Sequence, residues 1–200
     1  RDHSVGVSSL LAEREAVIVD ADQIARDLQS PGSSVLDAMA ERFGAHILDD
    51  DGALLRAEVA KIVFTDEQAL ADLNGIVHPA MQSEIQRQID EHRGSDRVVV
   101  LDFPLLGENP RTGLAATIVV DVPHEIAVER AVARGMDEGD VRNRIDSQLS
   151  REDRRAIATH VIDNAGDREA LVARVDEVWA DLQTIVADHE EPPGEAVEPG

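Results

Sequence analysis

Short apolar runs that end on an acid recur three times along this chain. Residues 16–19 (AVIV) lead into Asp20 and Asp22, residues 97–106 (RVVVLDFPLL) contain a run closed by Asp102, and residues 116–121 (ATIVVD) end on Asp121. Nearly continuous β-favouring runs suit strands covered on both faces, as in a parallel α/β sheet. A fourth, brief strand is expected at 160–162, just ahead of Asp163-Asn164-Ala165-Gly166. Between these runs the apolar period becomes helical. Helices are predicted at 8–14, 23–28, 35–43 (with Val35, Leu36, Met39 and Phe43 on one face), 56–64 and 67–92. The last of these is interrupted by His78-Pro79, and helices usually stop or kink before proline, so His78 is expected at a bend and buried. Further helices are predicted at 125–134, 137–149, 151–159 and 167–187. Strands alternating with helices give a doubly wound parallel sheet, and the all-helical stretch from about 31 to 92 reads as a lobe inserted on one side.

Composition narrows the partners. A chain of 200 residues suits one domain with a small added lobe. Its formal net charge of −22 argues against a general nucleic-acid or anionic-membrane partner, because phosphate binding is driven by Lys and Arg. There is no cysteine, hence no disulfide framework, no thiol nucleophile and no Cys-based zinc site. No apolar run reaches membrane-spanning length and nothing at the start resembles a signal peptide, so a cytoplasmic location is expected. The acidic, Pro/Gly-rich residues 188–200 are expected to be disordered. Nothing in the composition specifies an oligomeric state.

Candidate chemistry is sparse. Ligands in parallel α/β sheets bind beyond the carboxyl ends of the strands, which is where Asp20 and Asp22 would stand. Either acid could equally cap the following helix. Arg130, Arg134, Arg142, Arg144, Arg151, Arg154 and Arg155 crowd into a short segment, matched there by as many acids. Arg130 and Arg134 are four apart on one helix face and could grip a polyphosphate in a fork, but spacing alone favours ordinary ion pairs, such as one to Glu129, because such helical pairs are common. The histidines are scattered, with no metal-binding spacing, and Asp49-Asp50-Asp51-Gly52 lacks the later Glu of a calcium loop, so no metal site is expected and this stretch reads as an exposed turn. No G-x-S-x-G elbow is present.

Several stretches together resemble the dephospho-coenzyme A kinase family. They are LLAEREAVIVDADQIAR, SPGSSVLDAMAERFG, LDDDGALLRAEVAKIVF, LNGIVHPAMQSEI, VVVLDFPLLGEN, VVDVPHEIAVERAVAR and ATHVIDNAG, in family order across about 8–187. The resemblance implies a P-loop kinase fold over 1–187, with a helical acceptor lobe at about 31–92 and a lid at about 135–158. It implies transfer of the ATP γ-phosphate, with Mg2+, to the ribose 3′-hydroxyl of dephospho-CoA. By position, Asp22 is similar to the family's general base, and Arg130 and Arg134 to its ATP-phosphate-binding arginines, with Arg144 in the lid beside them. His78 and Leu105 fall where the family builds its acceptor lobe.

One departure is large. The family opens with a strand running into a G-G-x-G-S-G-K-S/T loop, and over the end of that loop this chain has Arg1-Asp2-His3-Ser4-Val5-Gly6. Ser4 stands at the lysine position, Val5 and Gly6 replace the magnesium-binding hydroxyls, and Lys61, the sole lysine, belongs to the inserted lobe. Removing one preorganised donor typically costs about 3–4 kcal/mol of transition-state stabilisation, so a chain without several is expected to be nearly inactive. The strand implied by the family is central, flanked by residues 98–101 and 118–120, and its absence is expected to leave two edges unpaired. A fragment or a frameshifted start explains both features more economically than a pseudoenzyme. The alternatives are a non-catalytic module that binds coenzyme A or a nucleotide, and another small-molecule kinase of the same fold.

Overall fold

The computed structural model describes residues 6–103 and 111–188. Residues 1–5, Leu105 and the acidic tail beyond 188 therefore lie outside the described residues. Each expected strand is present: β1 (Val17–Asp20), β2 (Val99–Asp102), β3 (Ile118–Asp121) and β4 (His160–Asp163). Around them run α1 (Val7–Ala12), α2 (Ala21–Leu28), α3 (Ser34–Phe43), α4 (Arg56–Val63), α5 (Glu67–Asp90), α6 (His124–Ala133), α7 (Glu138–Asp146), α8 (Arg151–Ala156) and α9 (Arg168–Asp188).

The α/β class is as expected, with the strands arranged as two separate pairs. Among the described residues β1 pairs with β2 and β3 with β4, each as a two-stranded sheet. The β3–β4 pair is parallel and in register from Ile118 opposite His160 to Asp121 opposite Asp163. This brings two aspartates side by side at one end of the pair. Full burial of the three apolar runs is not found, and Val17 and Ile18 of β1 are half-buried. Val99, Val100 and Leu101 of β2 are half-buried, and Val120 of β3 is 43% exposed. Among the described residues each strand has a single hydrogen-bonded neighbour, and a strand at a sheet edge has less surface covered.

The chain divides into two compact units, and the division runs through β1 and β2. One unit comprises residues 18–95 and 101–103. Its core is the apolar face read from the sequence, with Val35, Met39 and Phe43 packed against Ile47, Val59, Ala69 and Val77. Helix starts here are set by side-chain caps: Ser33 accepts from the Val35 N–H, and Asp66 from those of Gln68 and Ala69. The acidic turn is an exposed turn, in which the Asp49 carboxylate accepts from the Asp51 and Ala53 N–H groups beneath a Leu48–Leu54 bridge.

The other unit comprises residues 1–17, 96–100 and 104–200. Ile162 of β4 and Val175 and Val178 of α9 are fully buried. Arg14 pairs with Asp176, and the Arg174 Nε donates to the Val161 carbonyl, tying α9 to the residues around it. A smaller cluster of Val128, Ala131 and Val141, with Ile145 against it, joins α6 to α7. Arg142 strengthens this join by reaching both Glu125 and Glu138.

The expected break at His78-Pro79 is absent. Helix α5 runs through Pro79 for 24 residues, and His78 is exposed rather than buried. An interior proline removes one N–H and crowds the carbonyl four residues back. That carbonyl belongs to Gly75, which is exposed and has nothing within 4 Å of where a Cβ would sit, so water can satisfy it. Packing of the apolar face on both sides of the proline outweighs the local cost.

Replacing Pro79 with Ala restores the missing donor and should stabilise the chain by about 1–3 kcal/mol in urea denaturation. No gain would mean that the helix is bent enough at this point to keep the new N–H from the Gly75 carbonyl.

Candidate functional site

At the carboxyl end of β1 two acids stand two residues apart, and the structure separates their jobs. The chain passes from extended backbone at Asp20 directly into α2, leaving the first N–H groups of that helix without helical partners. The Asp20 carboxylate accepts from the Gln23 N–H at 2.8 Å and so is the cap. Asp22 lies in the first turn, is exposed, and has no hydrogen bond or ion pair among the described residues. It is a carboxylate at a strand end that the fold itself does not use.

The arginines are sorted in the same way. Arg130, on α6, does not pair with Glu129. Its Nη1 donates to the Asn164 carbonyl at 2.7 Å and its Nη2 to that of Gly166 at 3.4 Å, which anchors the loop after β4. Neutral acceptors leave its full positive charge in place. Arg134 falls just past the end of α6, at its C-cap position, so it does not extend the helical face of Arg130. Arg134 and Arg144 are both exposed, with no ion pair among the described residues. His78 is exposed on α5, and Leu105 lies outside the described residues.

Sequence reasoning missed a cluster at the ends of β3 and β4. Asp121 is buried, 4% exposed, at the last position of β3. Arg151 grips it with two bonds, Nε to Oδ1 at 2.7 Å and Nη2 to Oδ2 at 2.8 Å, while Arg155 Nη1 also donates to Oδ2. The Arg151 guanidinium, followed by that of Arg155, outweighs the opposing effect of burial and holds the Asp121 carboxyl down at about 2. The Asp121 carbonyl in turn accepts from the Asn164 N–H at 2.8 Å, joining this cluster to the loop held by Arg130. The signal available in the sequence was the acid closing an apolar run; its partners lie 30 and 34 residues away.

Among the described residues no group of three His, Asp or Glu side chains comes together to hold a metal ion. Magnesium characteristically keeps several waters and binds through one or two carboxylates plus substrate phosphates. No helix among the described residues is long and apolar enough to cross a membrane.

Two contrasts check these assignments. Asp20→Ala should cost about 1 kcal/mol in urea denaturation, whereas Asp22→Ala should cost almost none, because only the first removes a cap. Equal losses would contradict the division of labour. Asp121 titrates below its ordinary value of 3.8, so its contribution to stability is complete above about pH 4 and is lost as the pH falls toward 2. The stability gap between the parent chain and Asp121→Asn should accordingly close over that interval, and a gap unchanged at pH 2.5 would contradict the ion pairs.

Comparison with known proteins bears on the same residues. The family model for dephospho-CoA kinase (CoaE) matches residues 4–169. The dephospho-CoA kinase of Thermobifida fusca is 46% identical over 179 residues, covering 88% of this chain and 89% of the relative. That of Corynebacterium diphtheriae is 45% identical over 174 residues, covering 86% and 87%. Among solved structures, TT1252 from Thermus thermophilus aligns with a TM-score of 0.72 at 29% identity, over 88% of this chain and 90% of that one. The dephospho-CoA kinase from Campylobacter jejuni aligns at 0.65 over 92% and 94%, and at 19% identity this likeness speaks for the fold. The family match spans both the strand end at Asp22 and the arginine-rich segment, and the chain belongs to the dephospho-CoA kinase family.

Proposed function

We propose that this chain transfers the γ-phosphate of ATP to the ribose 3′-hydroxyl of dephospho-CoA, with Asp22 as general base. The observation that carries the assignment of Asp22 is its freedom: Asp20 caps α2, and Asp22 is left exposed at the end of β1 without a partner among the described residues. A base must reach the hydroxyl it deprotonates, and an unengaged carboxylate on a helix start is available to do so. Asp22 accepts the 3′-hydroxyl proton as that oxygen bonds to the γ-phosphorus. The bond to the β-phosphate oxygen breaks and ADP leaves with that electron pair.

Phosphoryl transfer asks for positive charge around the three equatorial oxygens of the moving group. Arg134 and Arg144 are exposed and have no ion pair among the described residues, and Arg130 keeps its charge while bound to carbonyls, so these three, which match the family's phosphate-binding positions, are assigned to the ATP phosphates. Mg2+ arrives with ATP and shields the phosphate charge. The helical stretch of about 31–92, with His78 and Leu105, is assigned to the acceptor, and about 135–158 to the lid. Arg1-Asp2-His3-Ser4-Val5-Gly6, aligned with the end of the family's glycine-rich loop, has neither lysine nor magnesium-binding hydroxyl at the matching positions. A second reading, a module that binds coenzyme A without turning it over, is favoured by that same stretch.

Coupled ADP release with dephospho-CoA separates the two. ADP release that depends on dephospho-CoA is expected of the kinase. Asp22→Asn should lower kcat by about 10²–10⁴-fold with little change in ATP affinity. Calorimetric binding of dephospho-CoA with no turnover would favour the module, and full activity in Asp22→Asn would remove Asp22 as the base.

A further inference from the structure

One buried carboxylate taking two arginines is more than a structural tie requires. Arg151 uses Nε and Nη2 on Asp121, and Arg155 uses Nη1. A guanidinium has five N–H donors, so Arg151 Nη1 and Arg155 Nε and Nη2 have no protein acceptor among the described residues. Both side chains remain 48% exposed although the carboxylate they share is 3% exposed. The carboxylate is thus sealed in while the outer edges of its partners face solvent.

Charge accounting points the same way. Asp163 at the end of β4 also attracts Arg151, but its carboxylate accepts from the Ala165 N–H. Arg130 adds a third guanidinium through the Asn164 loop, and its partners are neutral carbonyls. On α8 itself Asp153 is held by Ser150 and Arg154 by Gln148, while Glu152 is exposed. At the end of β3 two guanidiniums meet the single buried carboxylate of Asp121, one more than neutralises it. Strand ends of this kind are where α/β proteins bind ligands.

We propose that Asp121 is a positioning residue for phosphate recognition, fixing Arg151 and Arg155 so that their outward N–H groups take phosphate oxygens of the nucleotide donor. This rests on the kinase reading and extends it to residues outside the set assigned above. Two long side chains that would otherwise wander are held in one place before the nucleotide arrives, which lowers the ordering cost of binding. Because Asp121 is ionised throughout the neutral range, the arrangement does not depend on working pH.

Calorimetry on the full chain with MgATP and with adenosine tests this directly. Asp121→Asn should weaken MgATP about tenfold and leave adenosine within about twofold, because only the polyphosphate meets the arginines. Arg151→Gln and Arg155→Gln should each weaken MgATP several-fold while leaving adenosine within about twofold, and each should also lower Tm, because the buried Asp121 carboxylate loses a partner. Adding Asp121→Asn to the Arg151→Gln/Arg155→Gln double variant should weaken it no further, since a positioning residue has nothing left to position. An Asp121→Asn variant with unchanged or tighter MgATP binding overturns the proposal, as does full affinity in both arginine variants. A parent chain that binds adenosine and MgATP equally well overturns it too. A parent chain that binds neither takes the kinase reading down with it, so the two failures are told apart.

Discussion

A helix that starts directly on a strand end leaves N–H groups that must find acceptors, and at β1 that demand decides which acid is available for chemistry. Asp20 meets it with its carboxylate, and Asp22, one position into the helix, has no such duty. Capping of this kind contributes only about 1 kcal/mol, yet it fixes the direction in which the chain leaves the sheet. The position of the second carboxylate follows from that direction. The free acid at this strand end is a consequence of satisfying the backbone.

A parallel division appears on the second sheet. Asp121 closes β3 as Asp20 closes β1, but it is buried, and its negative charge is balanced by arginines from α8. Arg130 fastens the neighbouring loop through carbonyls. Each strand end therefore combines groups engaged by the fold with groups left over: Asp22 at the first, and the outer edges of Arg151 and Arg155 at the second. Elsewhere the charged side chains mostly answer one another at the surface, as in Arg87 with Glu84 and Glu91, where solvent screens the pairing and little stability is gained.

Much of this was legible in the residue pattern because the strands announce themselves: an apolar run followed by an acid marked all of β1, β2 and β3. The helical lobe was equally plain from Val35, Leu36, Met39 and Phe43 recurring on one face. Pro79 misled because the rule that proline ends a helix takes no account of an exposed Gly75 one turn earlier and a packed face on either side. Burial of β1, β2 and β3 was overread because an apolar run does not reveal how many neighbours a strand has. The choice between Asp20 and Asp22 needed the actual start of α2. Arg130 was invisible as a loop anchor, since backbone carbonyls carry no sequence signature, and Asp121 with Arg151 and Arg155 was invisible because their pairing spans 30 and 34 positions and depends on where α8 sits on β3.

The central claim is that Asp22 is the group that receives the acceptor's proton. It is tested most directly by a crystal structure of the protein with dephospho-CoA and a non-hydrolysable ATP analogue bound. The account predicts an Asp22 carboxylate oxygen within about 2.6–3.2 Å of the ribose 3′-oxygen, which lies in line with the γ-phosphorus. A 3′-oxygen hydrogen-bonded to a different side chain, with Asp22 still facing solvent, would contradict it.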